Sequence, residues 1–93
     1  MISAAIFSRA EGCYSRDVEG EIFLIAPDRE EIFYLDTIGA ALWRLLDQPR
    51  KMAEIIAVFA DAFPEQDPET LHADLLRLLQ ELEASGFVTR REG

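Results

Sequence analysis

The sequence predicts an α+β domain in which a three-stranded antiparallel sheet is followed by three helices. Three observations predict it. Apolar residues in the first third come in short runs bounded by turn residues, as strands do. Those after residue 36 recur at helical spacing. The chain has 93 residues, enough for one domain with a modest core and too few for a two-lobed enzyme.

The elements follow in order. Residues 13–18 form a first strand with Tyr14, Arg16 and Val18 on one face. Glu19-Gly20 makes a tight turn in which Gly20 is free to take a positive φ. Glu21 to Ala26 is an apolar run, read as a strand covered on both faces. Pro27-Asp28-Arg29-Glu30 is a turn cluster. Glu31-Ile32-Phe33-Tyr34-Leu35 is rich in β-branched and aromatic residues and reads as the third strand of a meander.

Asp36 or Thr37 can cap the first helix. Ile38, Leu42, Leu45 and Leu46 share one of its faces, and it stops before Pro49. The second helix runs from about Lys51 to Phe63 on a stripe of Met52, Ile55, Ile56, Phe59 and Phe63, and Pro64 ends it. The third has the clearest start: Asp67 at N-cap, Pro68 at the first helical position and Glu69 in the first turn. Leu71, Leu75, Leu78, Leu79 and Leu82 make its broad apolar face, and Leu76 widens that arc. Gly86 follows as the C′ residue, Phe87 and Val88 fold back onto the core, and Arg90-Arg91 is a short frayed tail. The order β-β-β-α-α-α is that of a winged helix-turn-helix-like domain spanning residues 1–93, without internal repeats.

Composition narrows the function. A net charge of −9 repels phosphate backbones and anionic membranes. An acidic domain steers towards basic partners. The single cysteine, Cys13, allows no disulfide within the chain and no cysteine-based metal cluster, and a reducing cytoplasm fits best. The apolar start, Ile2 to Phe7, is too short for a signal-peptide core, and no run reaches the roughly 20 apolar residues of a membrane span. Cys13 has no activating neighbour in sequence, since the only histidine, His72, lies far along the chain on a solvated helix face. Glu65, Asp67, Glu69 and Asp74 lack the spacing and pivot glycine of a Ca²⁺ loop and serve the helix start instead. Trp43 packs against the sheet, and Gly39 allows the first helix to approach a strand closely. These features indicate no enzyme and no cofactor.

The chain resembles the PqqD family, the precursor-peptide recognition elements of ribosomally made and modified peptides. The resemblance covers roughly residues 10–90. It is carried by Tyr34-Leu35-Asp36-x-Ile38-Gly39-Ala40-x-x-Trp43-x-Leu45-Leu46, by Pro49-Arg50 before a short amphipathic helix, and by Asp67-Pro68-Glu69 opening a Leu-rich helix that ends at Gly86-Phe87-Val88. The strand pair from Val18 to Tyr34, turning at Gly20, also fits. Lys51 departs from the pattern: relatives often place Thr or Ser there, a cap worth about 1 kcal/mol.

The resemblance implies that the leader of a precursor peptide adds as a strand beside the third strand and lies in a groove against the third helix. A separate modifying enzyme, often a radical SAM enzyme, then does the chemistry, in PQQ biosynthesis or a related pathway. The implied peptide-binding residues are Glu31, Ile32, Phe33, Tyr34 and Leu35 on the strand, with Leu76, Leu79 and Glu83 on the helix. Strand addition uses unpaired main-chain groups for affinity and alternate side chains for specificity. The domain would be a monomer or a homodimer, since an open edge can pair with its own copy. Two other functions are open to such a fold. One is a protein-interaction or dimerisation module without a peptide client. The other is a winged-helix nucleic-acid binder, which the third helix opposes: it carries Glu69, Asp74, Glu81 and Glu83 against Arg77 alone.

Overall fold

The computed structural model describes residues 5–26 and 32–92. Nine elements are formed: β1 (Ala5–Arg9), β2 (Tyr14–Val18), β3 (Glu21–Ile25), β4 (Ile32–Leu35), α1 (Thr37–Leu45), β5 (Arg50–Lys51), α2 (Met52–Ala62), α3 (Pro68–Ala84) and β6 (Val88–Glu92). The meander read from the sequence is the sheet β2-β3-β4. Its first turn, Glu19-Gly20, has φ of 54° and 88°, the two left-handed residues that a tight two-residue hairpin loop requires.

A second antiparallel sheet, ordered β5-β1-β6, is present beyond the expected meander. It joins the start of the chain, the link before α2 and the C-terminal tail. Arg90 and Arg91 are therefore not frayed: they pair with Phe7 and Ile6 of β1. The tail is held by its root. Phe87 and Val88 are buried, and Ala10 N donates to Phe87 O at 2.9 Å. The ladder beyond them uses main-chain groups, so exposed polar side chains do not prevent it.

The helix ends follow their local chemistry. Asp36 caps α1, accepting from Gly39 N at 2.9 Å. Asp67 caps α3, accepting from Thr70 N and Thr70 Oγ1 at 3.0 Å each. At the end of α3, Gly86 (φ 83°) donates to Glu83 O and Phe87 to Leu82 O. This paired reverse closure needs a left-handed residue after the cap. Lys51 offers no acceptor to the first turn of α2, but Glu54 reaches back to Lys51 N at 3.0 Å, half of a capping box.

The core gathers one face from each helix and from β1, β3 and β4, whereas β2 is exposed along its length. Phe7, Ile22, Leu24, Leu35, Leu42, Leu46, Ile55, Phe59, Leu75, Leu79, Leu82 and Phe87 all lie within it. Trp43 is buried as the sequence suggested, with the Arg9 guanidinium 4.5 Å from its ring centroid and Arg9 Nε donating to its carbonyl at 3.1 Å. The Arg44 guanidinium ties α1 to the β2–β3 hairpin through Asp17 Oδ2 at 2.6 Å. That bond, then the one from Gly20 N, holds the Asp17 carboxyl below the usual carboxylate range. No helix among the described residues is long and apolar enough to cross a membrane.

Two outcomes follow for stability. Leu79→Ala opens a cavity at a fully buried site and costs about 2–5 kcal/mol, measured by urea denaturation. Because the Asp17 pKa is lowered on folding, its contribution is present above the ordinary carboxylate pKa and is lost as the pH falls through the lowered value. Asp17→Asn is thus less stable than the wild type at neutral pH, and thermal melts in increasingly acidic buffer bring the two together.

Candidate peptide-binding groove

Strand β4 pairs only with β3 among the described residues, so its other side is an open sheet edge. The register fixes which side chains go where. Phe23 is opposite Tyr34 and Ile25 opposite Ile32, so these four share the outer face. Phe33 and Leu35 point the other way, into the layer below the sheet. Exposure agrees: Ile32 is 63% and Tyr34 48% exposed, Phe33 is half-buried and Leu35 is core.

A groove runs along this edge. Its first part is a hollow of about 250 Å³ lined by Phe33, Tyr34, Leu35, Asp36, Gly39, Leu78 and Glu81. Its second part is lined by Asp36, Ile38, Asp74, Arg77, Leu78 and Glu81. The shared residues Asp36, Leu78 and Glu81 make the two parts continuous. In the first part Phe33, Leu35 and Leu78 supply an apolar floor, and the Phe33 ring meets Phe87 edge-on at 6.0 Å. The rim is acidic on both sides: Asp36 from the β4–α1 junction, Glu81 and Asp74 from α3. Among the described residues Arg77 is the one cation lining it, 3.9 Å from Asp74. Tyr34 donates to the Glu21 carboxylate across the outer face, and this bond, with partial burial and the negative charges of Glu21 and Asp36, raises its phenol above the ordinary range.

The sequence-derived residues fall into three groups. Ile32, Phe33, Tyr34 and Leu35 are brought to the open edge, although Leu35 contributes only the floor and Ile32 faces outward. Glu31 lies outside the described residues. Leu76, Leu79 and Glu83 are not brought there. Helical residues advance by about 100°, and the stripe Leu71, Leu75, Leu79 and Leu82 faces the core. Leu78 and Glu81 lie on the flank of that stripe towards β4. Leu76 and Glu83 lie on the opposite flank, and Glu83 pairs there with Arg90 of β6 at 3.4 Å. Leu79 is fully buried. The sequence signal for the flank that faces β4 is the run Asp74, Leu78, Glu81 at helical spacing beside the core stripe. Among the described residues no group of three or more His, Cys, Asp or Glu is placed to hold a metal ion. His72 is exposed on α3, and Cys13 Sγ lies 3.6 Å from the Gly86 carbonyl.

The fold is that of a small α+β domain with an open strand edge beside a helix-walled groove. Residues 21–88 match the family model described as coenzyme PQQ synthesis protein D (PqqD). The chain belongs to that family. The solved structure of TbiB1, in complex with the TbiA(beta) leader peptide, has the same fold at a TM-score of 0.79, with 22% identity over 87% of this chain and 93% of that one. No curated protein sequence matches the chain.

Gly39 sets how closely α1 approaches β4. A Cβ at this position would stand 3.0 Å from Leu35 Cδ2. Gly39→Ala therefore pushes Leu35 at the groove floor by a few tenths of an ångström, an overpacking cost of about 1–3 kcal/mol that the roughly 0.5–1 kcal/mol better helix propensity of alanine partly offsets. Denaturant titration reads the cost, and methyl shifts of Leu35 read the displacement.

Proposed function

We propose that this domain binds the leader segment of a ribosomally made precursor peptide by strand addition to β4 and presents it to a separate modifying enzyme in the cytoplasm. The observation that carries this reading is the open edge of β4 beside an apolar-floored groove. Family membership supports it, and so does the leader peptide held by TbiB1, which shares the fold. The physics is that of β-augmentation: unpaired N–H and C=O groups along β4 supply affinity, and the groove sorts alternate side chains. The chain itself performs no chemistry in this reading. The partner is an enzyme of the radical SAM kind or another peptide-modifying class, acting in PQQ or a related pathway.

Within this proposal the helix-side contacts are Leu78 and Glu81 rather than Leu76, Leu79 and Glu83. An isotope-labelled titration with the leader half of a precursor peptide encoded beside this gene tests it. Amide shifts concentrated on Ile32 to Leu35 and on Leu78 to Glu81 are expected. Leu78→Ala weakens binding by about tenfold, or about 1.4 kcal/mol, whereas Leu76→Ala has a much smaller effect. Absence of shifts with each such peptide at about 1 mM, a limit near −4 kcal/mol, overturns the reading.

A further inference from the structure

We propose that the groove selects a client strand carrying a lysine or arginine two residues from a large apolar side chain, with the cation at the Asp36–Glu81 end. This rests on the strand-addition reading of the same groove and names the chemistry of its client.

The argument starts from parity. A strand beside β4 turns every second side chain inward, and those side chains are about 6.6 Å apart. One inward position meets the apolar part of the groove, where Phe33 and Leu78 lie. The next, towards the end of β4, lies between Asp36 and Glu81. Asp36 spends one oxygen, Oδ1, on the cap of α1 and keeps Oδ2. Glu81 has no ion pair among the described residues. Asp74 adds a third carboxylate further along, partly offset by Arg77 at 3.9 Å. A carboxylate in the client would meet repulsion from both walls. A cation would be drawn to both and could lay its alkyl stem on the apolar floor. The net charge of −9 favours basic clients in general, but the two-walled arrangement is local and gives the cation a fixed position.

The outward positions of such a strand continue the exposed face of Ile32 and Tyr34, beside half-buried Phe23 and Ile25. The client is therefore an extended segment with an apolar outer face and one inward cation.

Panning a display library of random twelve-residue peptides on the intact chain tests this, followed by fluorescence anisotropy with one synthetic winner. Enrichment of a basic residue two positions from a large apolar one is expected. Replacing that residue with glutamate in the synthetic peptide should weaken binding at least tenfold, and raising the salt concentration should reduce the difference. Glu81→Lys should weaken the original peptide about tenfold and recover affinity for the glutamate version. Glu65→Lys, which makes the same change in net charge in the α2–α3 loop, should do neither. If the winners shift the amides of Ile32 to Leu35 but show no basic preference, or if Glu81→Lys and Glu65→Lys act alike, charge selection is overturned and strand addition stands. If no winner shifts those amides, strand addition itself fails.

Discussion

Helix α3 can lie in only one rotation on the two sheets. Leu71, Leu75, Leu79 and Leu82 are all buried, three of them without measurable exposure, and together they occupy one stripe of the helix. Turning the helix by one residue would expose one of these side chains and bury a charged neighbour, and either change costs more than a typical surface interaction returns. The reverse closure at Gly86 then drops Phe87 into the core and starts β6 in the right direction. The groove is a consequence: with the stripe seated, the flank carrying Leu78 and Glu81 is the one that faces β4.

The rest of the fold serves to keep β4 half free. Its inner side chains are committed, Leu35 to the core and Phe33 to an edge contact with Phe87. Its main chain is paired on one side only among the described residues. An unpaired edge is ordinarily a route to aggregation, and small domains blunt it with charge. Here the neighbouring charges are the carboxylates of Asp36 and Glu81, which would disfavour an acidic strand along this edge. In the proposed reading the same two carboxylates guard the edge and select the client.

Other contacts show how polar groups hold the two sheets without entering the core. Arg9 leaves β1 to cover Trp43 and bond its carbonyl, with burial pulling its guanidinium below the ordinary value against the opposing attraction of Asp47. Arg44 leaves α1 to hold the β2–β3 hairpin through Asp17. Each lies at a seam between elements far apart in sequence, where no local pattern announces it.

The sequence by itself determined the α+β class, the order of the meander and the three helices, and most helix ends. These are local matters: Asp67-Pro68, Gly86 and Glu19-Gly20 each act within a turn or two of themselves. The second sheet was not legible in that way. β5 has only two residues, β6 is polar beyond Val88, and the three strands come from distant segments, so apolar β1 alone does not announce the sheet that main-chain pairing forms. The strand side of the groove was readable from the apolar run before Asp36. The helix side was not, because leucines at 71, 75, 76, 78, 79 and 82 cover so wide an arc that several rotations look equivalent. Only packing against both sheets chose among them, since that alone decides which leucines are excluded from water and which remain at the rim.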